Sequence, residues 1–182
     1  MNGVRGVVVG LCALALAGSS LVWAPASQAA GHVKCEGPEH TTYTPGLTFT
    51  DRPTRIHARS DYTCTLPSGE QVEAAGRTEA GSDGASCLAL DAPRGTEYVH
   101  WPAVRHGGGH EEEFSEIRYD PGTAVRIAGA HVVVLKGRVV RGRGKGLEAS
   151  RTVTLLPAEL TGCLTPEGAE QAEGDGKLEI GS

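Results

Sequence analysis

Two histidines and three glutamates stand together in the segment His106-Gly107-Gly108-Gly109-His110-Glu111-Glu112-Glu113, and His100 lies close upstream. Imidazole nitrogens and carboxylate oxygens are ligands of divalent cations such as zinc, which makes His100, His106, His110 and Glu111 the candidate metal set. The three glycines oppose that use. Ordering the loop around an ion costs roughly 1 to 2 kcal/mol of backbone entropy per residue. A solvated connection between two strands accounts for the same residues, and no cofactor is expected.

The run His106-Gly107-Gly108-Gly109 is similar to the oxyanion-hole segment of some lipases, but that chemistry needs a G-x-S-x-G elbow and the chain contains none. No Ser, His and Asp are singled out as a triad either, so a non-catalytic protein is expected. A second charged constellation is basic. Lys136, Arg138, Arg141 and Arg143, continued by Lys145, form a candidate patch for an anionic ligand such as a teichoic acid or an acidic glycan. The same charges at a strand end and hairpin tip would also deter pairing with a foreign sheet. Glu111, Glu112, Glu113 and Glu116 are an acidic counterpart, able to hold calcium weakly or to pair with the basic tip. Trp101 suits a core position better than a sugar platform, which usually offers several exposed rings.

The elements that must position these groups are strands. Short β-branched runs of period two, separated by Gly and Pro, recur along the chain, and helical periodicity is hard to find. In 55–64 the residues Ile56, Ala58, Ser60, Tyr62 and Cys64 share one face, while Arg55, His57, Arg59, Asp61 and Thr63 share the other. Further strands are expected at 41–43, at 47–50 after the turn Pro45-Gly46, and at 71–75, 86–90 and 98–101. Others fall at 114–119, at 123–128 after the turn Asp120-Pro121-Gly122, and at 131–140, 149–156 and 177–180. Gly137, inside a strand, marks a bulge or a close backbone approach.

Residues 1–29 read as a cleaved signal peptide. Arg5 is followed by the apolar run 7–17, interrupted only by Gly10 and Cys12, and Ser27-Gln28-Ala29 fits the small-x-small cleavage rule. Cleavage after Ala29, or alternatively Ala30, leaves 30–182 as one secreted domain and discards Cys12. The apolar run is too short to span a bilayer, which takes about 20 residues, so no membrane span is expected after cleavage. A formal charge of −5 argues against nucleic acid as a bulk partner. Cys35, Cys64, Cys87 and Cys163 remain, and an even number in an exported chain implies two disulfides. These cysteines are more than twenty residues apart in sequence, which is not a zinc spacing. Val33 and Cys35 share a face, as Tyr62 and Cys64 do, so Cys35 and Cys64 both point inward and are the favoured pair.

Roughly nine short strands with glycine-rich connections predict a β-sandwich. The spacing of Cys87 and Trp101 resembles the one by which immunoglobulin domains set a strand tryptophan against an inter-sheet disulfide. That resemblance implies an immunoglobulin-like sandwich with Cys163 as the partner of Cys87, although Thr161 stands where those domains carry a tyrosine. The elements Val33-Lys34-Cys35-Glu36-Gly37, Thr42-Tyr43-Thr44-Pro45-Gly46-Leu47-Thr48, Tyr62-Thr63-Cys64, Ser86-Cys87, Trp101, Gly137 with Gly142, and Leu160-Thr161-Gly162-Cys163 resemble small secreted proteins of actinobacteria such as Streptomyces. The resemblance implies an extracellular β-sandwich and brings no active site. The function expected is binding of a protein or a cell-envelope polymer; the alternative is a divalent-metal-dependent activity centred on His106 and His110.

Overall fold

A computed structural model describes residues 32–102, 114–127, 130–155 and 162–181. Among the described residues nine strands occur in this order: β1 (Val33–Leu47), β2 (Arg52–Thr65), β3 (Gln71–Ala85), β4 (Arg94–His100), β5 (Phe114–Tyr119), β6 (Thr123–Ile127), β7 (Ala130–Gly142), β8 (Glu148–Leu155) and β9 (Ala169–Ile180). All pairings are antiparallel. Neighbours run β5-β4-β3-β2-β1-β9-β8-β7-β6, and β5 pairs with β7 as well. That last pairing closes the sheet into a barrel of eight strands with β6 as an appendage.

The immunoglobulin-like sandwich is therefore overturned. A sandwich has two sheets with free edges, whereas here one sheet closes on itself and removes its edges. Gly137 makes the seam possible: a Cβ there would collide with the carbonyl oxygen of Arg118 on β5. The analogy with a tryptophan against a disulfide fails for the same reason. His100 pairs with Ala75, which sets Trp101 toward the end of β3 where Val72 faces Cys64. Cys87 follows Ala85 at the opposite end, where β3 faces Arg52.

The disulfides join Cys35 to Cys64 and Cys87 to Cys163. The first links directly opposed residues of β1 and β2. The second ties the β3–β4 loop to the β8–β9 connection, across one end of the barrel. Several strands are longer than their sequence signals. β1 continues past Pro45-Gly46 to Leu47, with its register against β9 shifting between Thr42 and Leu47, β3 continues to Ala85, and β9 begins at Ala169. Residues 86–90 form a loop whose Leu90 only bridges back to Ala85.

Asp120-Pro121-Gly122 is not a hairpin turn. β5 and β6 line the same edge of β7, β5 against 137–142 and β6 against 130–134, as two halves of one bent strand. The Asp120 N–H donates to the Lys136 carbonyl and the Gly122 N–H to that of Pro93, so the bend steps β6 out of the ring. Inside, alternate residues of the eight ring strands meet. The inward side of β2 (Ile56, Ala58, Ser60, Tyr62 and Cys64) is buried as its period-two pattern predicts, and its outward side is charged.

Candidate functional site

The centre of the barrel is ionic. Arg151, on the inward face of β8 between Ala149 and Val153, is fully buried between Glu39 of β1 and Glu97 of β4. Its Nη1 lies 3.1 Å from Glu97 Oε1, and Nη2 pairs with Glu39 Oε2. Hydroxyls complete the set. Thr41 and Ser60 each donate to Glu39 at 3.2 Å, Tyr62 donates to Glu97 at 3.0 Å, Tyr119 donates to Glu97, and Arg151 donates to Thr78. Two inward glycines leave room for it. A Cβ on Gly76 would stand 2.7 Å from the Tyr62 ring and 2.8 Å from Glu97 Oε1, and one on Gly176 would stand 2.8 Å from Glu39 Oε2.

Arg151 and the phenols of Tyr62 and Tyr119 are locked in their charge states. Burial works against the Arg151 cation, but Glu97, with Tyr62 and Glu39, more than offsets it and holds the proton well above the usual arginine range. Burial, aided by Glu97, pushes the phenols of Tyr62 and Tyr119 well up, so both stay neutral donors. The Arg151 Nε is buried without a hydrogen-bond partner, while both of its terminal nitrogens are paired, and buried ion pairs of this kind fix geometry rather than supply a proton for chemistry.

Beyond Glu39 and Arg151, toward the end stapled by Cys87 and Cys163, lies a chamber of about 50 Å³ walled by residues such as Tyr43, Ile56, Leu90, Val133, Leu135 and Leu155. A water needs roughly 10–15 Å³, and small-molecule pockets run from about 300 Å³. The interior is thus a packed core with space for a few waters. At its rim sits His131, buried, opposite Arg126 on β6 and hydrogen-bonded to the backbone of Cys87. Burial, then the Arg126 charge, lowers its pKa below the ordinary histidine value.

The outside of this same end is apolar. Phe49, Leu88, Val125, Ile127 and Leu164 are between 46% and 79% exposed. Cys87 ties them together. Its N–H donates to the Thr48 carbonyl beside Phe49, its neighbour is Leu88, its disulfide partner Cys163 precedes Leu164, and His131 links it to β6. Val125 pairs with Val132 and Thr123 with Val134, so the outer face of the β6–β7 ribbon continues the apolar surface.

Of the metal candidates, His106, His110 and Glu111 lie outside the described residues; His100 sits exposed on the outer face of β4, opposite Ala75 and Phe114. Among the described residues no three His, Cys, Asp or Glu side chains gather as a metal site. The basic patch is divided. Lys136 and Arg138 lie on the outer face of β7, Arg138 3.8 Å from Glu148. Arg141 pairs with Glu116 at 3.4 Å and covers Phe114, and Arg143 lies over Trp101. Trp101 is core, its Nε1 donating to Ser115 Oγ at 2.9 Å.

No helix among the described residues is long and apolar enough to cross a membrane. The Glu39–Arg151–Glu97 set is absent from the sequence candidates because its members are far apart in the chain, although each shares parity with apolar neighbours. Comparison with known protein families and with characterised proteins found no match to this chain.

Proposed function

We propose that this chain is a secreted, non-catalytic binding module whose partner is a protein docking on the apolar, disulfide-stapled end of the barrel. The observation that carries this reading is the gathering of Phe49, Leu88, Val125, Ile127 and Leu164 at that one end, while the outward face of β2 is charged. Contiguous exposed apolar surface on a small protein marks an interaction site. Two disulfides suit an oxidising, extracellular setting. The buried ion pairs support the non-catalytic half, since those charged groups are consumed in holding the barrel together.

The test compares mature wild-type protein with a Val125→Glu/Ile127→Glu variant as bait on cell-surface and secreted proteins of the source organism. A partner retained by wild type at least tenfold better than by the variant, with both melting at the same temperature, supports the reading. Equal retention overturns it, as does binding to phosphatidylglycerol vesicles in place of any protein. Light scattering checks for a second copy of the chain as the partner.

A further inference from the structure

On the opposite side of the ring from β7, the outer face of β1, β2 and β3 carries a row of basic residues set by register alone. His40 stands opposite Arg59, Arg59 opposite Arg77, and Arg77 opposite Tyr98. One step along the strands, Thr42 faces His57 and His57 faces Glu79. Directly opposed side chains are about 4.5–5.5 Å apart at Cβ, where like charges destabilise a sheet. Arg59 and Arg77 are such a pair, and neither makes an ion pair or a side-chain hydrogen bond among the described residues.

Three other outward arginines are answered, whereas Arg55 on β2 and Arg118 on β5, neither of which faces another unanswered arginine across strands, are not. Arg94 has Asp83 at 3.0 Å, Arg138 has Glu148 and Arg141 has Glu116. Glu36, Glu73 and Asp83 lie farther along the strands, and the outward carboxylates within two residues of Arg59 or Arg77 are Glu79, two residues from Arg77, and Asp61, two residues from Arg59 and opposite Ala75. Neither closes on a guanidinium. Glu173 of β9, opposite His40, lies 3.8 Å from its Nδ1. The strands enclose here a surface depression of about 460 Å³ lined by His40, His57, Arg59, Arg77 and Glu79.

We propose that this depression is a binding site for a phosphate- or sulfate-class oxyanion, held between the guanidinium groups of Arg59 and Arg77 and flanked by His40 and His57. Guanidinium forks match tetrahedral oxyanions, and one anion between two forks converts an unfavourable cross-strand pair into a bridged one. Tyr98, 37% exposed beside Arg77, gives a ring against which a carrier of the anion can lie. The site is separate from the apolar end, so either can fail without the other.

The test titrates inorganic phosphate and, separately, inorganic sulfate into the mature protein, followed by backbone amide NMR shifts and by melting temperature. Wild type shows saturable shifts confined to β1–β3 and a rise in melting temperature. An Arg59→Gln/Arg77→Gln variant loses at least about tenfold in affinity, as expected when charge-assisted hydrogen bonds are removed. Without anion it melts no lower than wild type, because a like-charge pair has gone. A Lys136→Gln/Arg138→Gln variant binds as wild type does. Poly(glycerol phosphate) binding more tightly than heparin assigns a phosphodiester source, and the reverse a sulfated glycan. Absence of saturable shifts in wild type, or the same affinity in the Arg59/Arg77 variant, overturns the proposal.

Discussion

Replacing Arg151 by Met keeps an unbranched apolar stem and removes the guanidinium with its charge, leaving Glu39 and Glu97 in the barrel without their cation. Breaking a buried pair in this way costs about 3–5 kcal/mol, because the stranded charge has no water to turn to. Against a total stability of about 5–15 kcal/mol, that is about a fifth of the fold or more. For a chain of this size each kcal/mol moves the melting temperature by about 2–4 °C, so the drop should be about 6–20 °C at pH 7. Urea denaturation with both disulfides intact is the assay, read as a change in midpoint at constant slope. The sign with pH follows from proton linkage. In the variant the stranded carboxylates hold protons more readily folded than unfolded, so its stability falls as pH rises and the deficit shrinks on acidification. A Glu39→Gln/Glu97→Gln/Arg151→Met triple variant, with no buried charge left, should recover most of the loss. A single variant within about 1 kcal/mol of wild type, or a deficit unchanged between pH 7 and pH 4.5, would refute the ionic-core account.

Three further predictions test the frame around it. His131 has its pKa lowered by burial and then by Arg126, so the folded protein binds fewer protons than the unfolded chain just below the ordinary histidine value. Stability is then present above about pH 6.5 and is lost as pH falls toward the depressed value; a His131→Gln variant should show a flatter melting profile there. Gly76→Ala should cost about 1–3 kcal/mol by overpacking Tyr62 and Glu97, whereas Gly81→Ala, whose Cβ meets nothing closer than 3.7 Å, should cost little; urea midpoints decide. Removing Cys87–Cys163, with its separation of 76 residues, should cost about 4.5 kcal/mol against about 3.5 for Cys35–Cys64 with 29, read as unfolding free energies of the paired Ala variants.

Much of the local structure is legible in the chain. Alternation in 55–64 assigns the inner and outer faces of β2, and the face shared by Cys35 with Val33 delivers that sulfur to Cys64. The closure is not legible, because it depends on which edge of β7 receives β5. Phe114–Tyr119 and Thr123–Ile127 flank Asp120-Pro121-Gly122 as the two arms of a hairpin would. Only the tertiary pairing shows that both lie along one strand, and a hairpin leaves an open sheet where a bent strand closes a barrel. Residues 86–90 mislead for a related reason. Cys87 and Leu90 are buried as strand residues would be, but they are buried by plugging the end of the barrel.

The ionic core was open to inference in a way the pairing of β5 with β7 was not. Glu39 has the parity of Cys35, Thr41 and Tyr43 on β1, Glu97 that of Val99 on β4, and Arg151 that of Ala149, Val153 and Leu155 on β8. A charge on the inward parity of a strand is costly unless it is paired, and three such charges of opposite sign on three strands of one small domain have only each other to meet. The inward glycines point the same way. Gly76 and Gly176 are gaps in the walls of β3 and β9, and a gap beside Tyr62 in a close-packed interior has to be filled by something long. Acidic and basic side chains reaching across from other strands fill these gaps. The spacing that conceals the set in the sequence is thus what lets it work, since ion pairs between β1, β4 and β8 brace the barrel across its interior where hydrogen bonds between neighbouring strands cannot reach.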